Sequence, residues 1–454
     1  MSHLSGFWKE EMFILNKTLF NPLKNRVLNY FLIAHLLFIS LYYFIFADSH
    51  FLAPDEAGYV SVFQDLYKSD YSYVQWGWPW RTPVLFLRIL YSPAKILSLV
   101  GMNDTLSLRL LSTIYIYLAL YILILAYKQI NGTNPPLRLC LILFVPTFFV
   151  WSSLGLREPF LYLGLSFLVV GLYFFEKVSL GVGLLFIFVG SIVICFTKDY
   201  LFVIVGLCIL VSVILWSFFA RKLSWRNLAL CLIWISPLAI YPPMIQSMND
   251  QISAMLNNDT PPRQNLAGNS TNGESGAWST ERGLIEASKK TDNSLVEGIS
   301  NLLVPDPKKV SSKKDAESFS EGSWAESKAS KLSLVPPSIR KPEKFIPQSL
   351  KVMTFPYPLG ENGGRVMNLV AWETPLWLIC VGFYVFILFK RVKKFKVLAL
   401  ADYFSIIFVI MYVVFMALTE INVGTMIRHK SLIAIPIFFT FLLNYNKISQ
   451  RLKN

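Results

Sequence analysis

The chain has 454 residues, 54% of them hydrophobic and only 15% charged, with a formal net charge of +14. A charged fraction well below the roughly 25% of soluble domains, with repeated apolar runs of about 18 or more residues, excludes a soluble or merely membrane-attached domain. The basic excess is not a nucleic-acid patch: residues 248–368 hold 15 Lys/Arg and 14 Asp/Glu, so 27 basic and 14 acidic residues remain, mostly in short segments between apolar runs.

In chain order, the apolar runs predict about ten transmembrane helices near 27–47, 108–127, 138–152, 159–176, 179–197, 200–219, 225–244, 371–389, 399–418 and 431–446. Lys9, Lys17, Lys24 and Arg26 precede the first run and place the N-terminus in the cytoplasm. Alternate loops then carry Lys128 with Arg138, Lys177, Arg221-Lys222 with Arg226, the basic run at 390–396, and a tail with Lys447, Arg451 and Lys453. Every loop assigned to the inside is basic, so both termini are expected there, in a multi-pass plasma (inner) membrane protein with its active face outside. The first apolar run is long and lacks a small-residue cleavage site, so no cleavable signal is read there. All five cysteines (Cys140, Cys195, Cys208, Cys231, Cys380) lie in apolar runs, which speaks against a disulfide framework or a zinc site.

The expected organisation is therefore an N-terminal membrane module (1–244, about seven spans), a long exterior loop (245–370) and a C-terminal membrane module (371–454, about three spans). A first exterior segment, 48–107, holds an apolar piece from Val84 to Val100 broken by Arg88, Pro93 and Lys95, read as an interfacial helix pair and not as a span. The middle of the long loop, 264–345, is rich in Ser, Lys, Asn, Gly and Glu and is expected to be flexible. Its end, 345–359, regains apolar character and is expected to pack on the membrane face.

Ionisable residues cluster at the outer ends of the runs: Asp55-Glu56, Arg157-Glu158, Lys198-Asp199 and Arg428-His429-Lys430, with Glu373 on the same side. Charges near membrane depth cost several kcal/mol unless paired or hydrated, so they tend to mark sites. The plainer reading is a set of solvated loop charges; four clusters of mixed sign on one face point to a shared polar cavity. Pro54 followed by two acids reads as a helix start, and also as a carboxylate poised as a general base. Trp76, Trp78 and Trp80 are explained by an interfacial aromatic belt; the sharper reading makes them a substrate-packing platform, with Arg81 near a phosphate.

An acidic pair just beyond the first transmembrane helix resembles the signature of the GT-C glycosyltransferases, multispanning enzymes that take a sugar from a polyprenyl-phosphate carrier. Three further stretches look like membrane proteins of bacterial polysaccharide assembly related to that superfamily. These are Trp-Ser-Ser-Leu-Gly-Leu-Arg-Glu-Pro at 151–159, Phe-Pro-Tyr-Pro at 355–358 followed by Glu373, and Asn-Val-Gly-Thr-Met-Ile-Arg-His-Lys at 422–430. Many members carry a sizeable soluble domain after the last span; here the large exterior segment falls between the seventh and eighth. The resemblance implies an all-α, GT-C-like fold and sugar transfer to a glycan or lipid-linked acceptor in cell-surface glycan assembly.

Under that resemblance Asp55 is the base, with Glu56 as alternative or support. Arg157, Lys198, Arg428 and Lys430 bind the donor phosphate, for which guanidinium groups are suited. Glu158, Asp199, Glu373, His429 and Arg81 are supporting residues. Some members use a divalent cation, but the sequence offers no dedicated ligand set and no metal is asserted. A repeat-unit polymerase or ligase of surface polysaccharide, and a transporter of lipid-linked glycan, are the competing classes. The transporter reading would need charges near mid-span, of which few are read, and draws weak support from Pro146, Pro237 and Pro436. No Walker A loop, GxSxG, HExxH or nucleotide-sugar DxD motif is present.

Overall fold

A computed structural model describes residues 25–46, 54–67, 84–136, 145–220, 225–242, 245, 345–354, 371–392, 398–419 and 428–451. Trp76, Trp78, Trp80, Arg81 and the stretch 264–344 lie outside these residues, as do the Phe-Pro-Tyr-Pro segment and the side chains of Asp55 and Asp199. Every regular element among the described residues is a helix.

The first helices are α1 (Arg26–Phe46), α2 (Pro54–Leu66), α3 (Val84–Leu99) and α4 (Asp104–Asn131). Asn25 caps α1, its Oδ1 accepting from the amides of Val27 (3.0 Å) and Leu28 (3.2 Å). Helix α2 begins at Pro54 with both acids in its first turn, as read from the sequence. Asn103 caps α4, and Gly132, at φ 70°, closes it by donating to the Lys128 carbonyl.

The segment around Pro93 differs from expectation. It is one continuous helix, α3, and not a helix pair. Proline lacks the N–H that the Ile89 carbonyl would have received; the Ser92 hydroxyl donates to that carbonyl instead, at 2.8 Å. The same substitution recurs at Pro237, where Ser236 donates to the Ile233 carbonyl at 2.7 Å. A serine before the proline thus lets both helices continue.

Next come α5 (Pro146–Ser153), α6 (Glu158–Lys177), α7 (Leu180–Thr197), α8 (Asp199–Ala220) and α9 (Trp225–Ile240). The chain resumes with α10 (Phe345–Thr354), α11 (Thr374–Val392) and α12 (Leu400–Thr419), then a 3₁₀ turn (Ser431–Ile433) leading into α13 (Ala434–Arg451). Five of the described helices, α4, α6, α7, α8 and α12, are long and apolar enough to cross a membrane, which makes this an integral membrane protein. Helices α1, α9 and α11 are apolar over shorter stretches. The expected span at 138–152 is only partly described. Its described part, α5, has eight residues, about 12 Å of helix, less than a bilayer core.

Helix α6 is the centre of the bundle, packed against α4, α7, α12 and α13. Its contact with α7 is a seam of four glycines. A Cβ on Gly183 would lie 2.4 Å from the Phe175 amide nitrogen, and one on Gly190 2.8 Å from the Gly164 carbonyl oxygen. Gly171 faces the Ile187 amide at 2.9 Å. Small residues at such a seam let two backbones approach without any polar drive between them.

Residues of α12 and α13 share one continuous core with those of α4, α6, α7 and α8. Leu207, Leu210, Ile214 and Phe218 form an exposed apolar stripe on α8, and Ile379, Phe383 and Phe386 one on α11, as hydrocarbon-facing surfaces require.

Candidate functional site

The antiparallel pair α6/α7 brings the start of α6 and the end of α7 to one end of the bundle. The starts of α4, α8, α11 and α13 lie there too. Arg157 caps α6 and Glu158 is its first residue, where a carboxylate suits the positive end of the helix dipole. The bend before them is held from two sides. The Gly155 amide donates to Glu56 Oε1 (3.3 Å), and the Leu154 carbonyl accepts from Ser112 (2.6 Å). A Cβ at Gly155 would come within 2.8 Å of Leu108 Cβ, so glycine permits the bend to press onto α4.

Lys198 is the single residue between α7 and α8, in extended backbone (φ −157°, ψ 92°). Its ammonium donates to His429 Nε2 at 2.6 Å and lies 4.8 Å from the centre of the Tyr200 ring. Accepting at Nε2 leaves the imidazole proton on Nδ1. Arg428, in the helical turn before the 3₁₀ segment, places Nε 3.0 Å from Glu158 Oε1. That approach is an ion pair without hydrogen-bond alignment: neither Glu158 oxygen has a hydrogen bond among the described residues. Glu158 interacts electrostatically with Arg428, Arg157, Lys198 and His429, and Arg157 with Tyr59 and Tyr200. Glu158 is 0% exposed, Lys198 2% and Arg428 6%. Three cations from distant stretches thus converge on one buried carboxylate.

Lys430 does not join them, contrary to the expected phosphate set. It lies in a neighbouring crevice, where its ammonium donates to the Met353 carbonyl of α10 (3.2 Å) and sits 5.4 Å from the centre of the Trp377 ring. Glu373 shares that crevice. Its Oε2 accepts from the Thr147 amide (2.5 Å) and hydroxyl (2.6 Å), which caps α5. The crevice has room for about one water. Burial pushes the Lys430 ammonium down to about 8, partly opposed by Glu373. The two regions meet through Ser431, which hydrogen-bonds Tyr162 (2.5 Å) and donates to the Arg428 carbonyl (2.5 Å).

Glu56 is committed elsewhere. It pairs with Arg109 of α4, Nε to Oε1 at 2.7 Å and Nη2 to Oε2 at 2.9 Å, both side chains buried. With its oxygens taken by a guanidinium and the Gly155 amide, Glu56 holds the Arg157 bend in place and is not poised to take a proton. Arg109 was not singled out in the sequence, although an arginine one residue inside an apolar run is a legible signal. Asp402 and His35 are two further polar residues inside the runs that the sequence reading did not single out. Asp402 accepts from the Ala399 amide (3.0 Å), and His35 bonds Ser152 (2.8 Å) and the Phe31 carbonyl (3.0 Å). Among the described residues no three His, Cys, Asp or Glu side chains converge as a metal-ligand group.

No family model, curated protein or solved structure matches this chain.

Proposed function

We propose that this chain is a GT-C-like membrane glycosyltransferase of about ten spans. It moves a sugar from a polyprenyl-phosphate carrier to a glycan or lipid-linked acceptor at the exterior face of the plasma membrane. The observation that supports this reading is the convergence of Arg157, Lys198 and Arg428 on the buried Glu158 in one charged cluster at one end of the bundle. Buried cations cost several kcal/mol each, and a phosphate or diphosphate seated among them offsets that cost while stabilising the departing carrier. Glu158 and His429 then orient Arg428 and Lys198.

The acceptor hydroxyl needs a base as it attacks the sugar's anomeric carbon; its proton goes to the base while the carrier phosphate leaves with the bonding electrons. Asp55 is assigned that role, because Glu56, its neighbour on α2, is bound to Arg109. Asp55→Asn is expected to lower transfer by at least about 10²-fold with polyprenyl-phosphate binding retained. Full transfer by that variant would overturn the assignment.

A repeat-unit polymerase or ligase is favoured by the same cationic pocket if Asp55 proves dispensable. Product analysis separates the two: a single sugar added, or long-chain material.

A further inference from the structure

A second cleft, of about 350 Å³, opens between α2, α3 and the start of α4, lined by Phe63, Gln64, Tyr67, Lys95, Ser98 and Asp104. We infer that this cleft is a subsite for an uncharged saccharide, distinct from the pocket of Arg157, Lys198 and Arg428.

Its chemistry differs from that of the charged pocket. Lys95 and Asp104 supply one charge of each sign, and the remaining polar groups are an amide, a hydroxyl and a phenol. Such a lining does not select an anion; it offers paired donors and acceptors to a ligand rich in hydroxyls. Asp104 is spare for this task, because Asn103 already caps α4 through the amides of Thr105 and Leu106. Its two oxygens hold one exchangeable neutral donor each, Ser98 at 2.8 Å on Oδ1 and Gln64 at 2.9 Å on Oδ2. A vicinal diol replaces both without leaving a buried group unmet. Phe63 lies buried at the base of the cleft, and the Tyr67 ring, with Lys95 5.2 Å from its centre, stands at its side.

Its position fits an extended glycan. Each of the three helices that line the cleft also reaches the charged region. On α2, Tyr59 interacts with Arg157, and Gln64 follows five residues later, with Tyr67 in the turn just past the helix. On α3, Tyr91 interacts with Arg157 and Glu158, ahead of Lys95 and Ser98. On α4, Arg109 holds Glu56 five residues after Asp104. The cleft and the charged region thus share these helices. The inference rests on the transferase reading only for naming the occupant as the acceptor; the saccharide site itself is tested independently.

The test uses the full chain in phospholipid nanodiscs and end-labelled di- to tetrasaccharides of glucose, galactose, mannose, rhamnose and N-acetylglucosamine. At least one should be retained. Asp104→Asn combined with Gln64→Ala should lower that retention at least tenfold, with unfolding temperature and polyprenyl-phosphate binding unchanged. Arg428→Ala and millimolar pyrophosphate should leave saccharide retention intact. No retained saccharide, retention equal in the double variant, or displacement by pyrophosphate would overturn the subsite. Saccharide retention without polyprenyl-phosphate binding by the unaltered chain would instead sink the transferase reading and leave the subsite standing.

Discussion

Glu56 and Arg109 join α2 to α4 through two parallel contacts, at 2.7 and 2.9 Å, with both side chains buried. The pair also carries the bend that presents Arg157, because the Gly155 amide rests on the same carboxylate. Removing one member leaves the other charge buried without its mate, a loss on the order of 3–5 kcal/mol. Glu56→Ala and Arg109→Ala should each lower the unfolding temperature strongly. A Glu56→Gln, Arg109→Met pair should recover most of it, as judged by thermal denaturation in detergent. A double variant as unstable as either single one would show that the pair is not the unit.

The charged pocket makes a different demand. Arg157→Ala, Lys198→Met and Arg428→Ala should each weaken polyprenyl-phosphate binding by roughly 10- to 100-fold, the worth of a charge-assisted contact. Arg428→Lys should rescue little, since an ammonium does not reproduce the planar fork. Binding titrations with the carrier phosphate decide it; unchanged affinity in all three variants would remove the pocket from the mechanism.

The glycine seam predicts a sharp contrast between helical glycines. Gly183→Ala forces a methyl against the Phe175 backbone, which has no side-chain freedom with which to yield, and should cost at least about 1–3 kcal/mol. Gly382→Ala on α11 meets nothing within 4 Å and should be neutral or stabilise by up to about 1 kcal/mol through helix propensity. Side-by-side melting curves check the difference, and equal effects would refute the seam.

Lys430 makes stability depend on alkaline pH. Its ammonium titrates near 8 in the folded chain, because burial in the crevice of Glu373, Trp377 and the Met353 carbonyl lowers it from 10.5. Between about 8 and 10.5 the unfolded chain binds the extra proton, so this group's contribution to stability rises with pH across that window. Below about 8 its full burial penalty remains. The Lys430→Met variant should lose this rise, read from unfolding temperatures between pH 7.5 and 10; the same rise in the variant would assign it to another group.

Much of the architecture was legible from residue order. Where they are described, the apolar runs fall on helices, five of them long enough to span a membrane, and Pro54-Asp55-Glu56 starts α2 as its residue types require. The convergence of Arg157, Glu158, Lys198, Arg428 and His429 followed from their place at the ends of runs expected on one face. What the sequence concealed was pairing. Nothing local distinguishes Glu56, which meets Arg109, from its neighbour Asp55, or Lys430, which turns toward Glu373, from Arg428 two residues earlier. Those choices are made by helix rotation and packing, which depend on partners far along the chain. The continuity of α3 through Pro93 was readable only if Ser92 is recognised as the replacement donor.

The glycine contacts between α6 and α7 act as a gauge. Because main chain touches main chain, the gap separating Glu158 from Lys198 is fixed by the two backbones and not by how their long side chains happen to extend. A one-residue slip between these helices would displace one charge by about 1.5 Å relative to the other. A bulky replacement near Gly183, at the opposite end of the pair, would therefore detune the pocket without touching it.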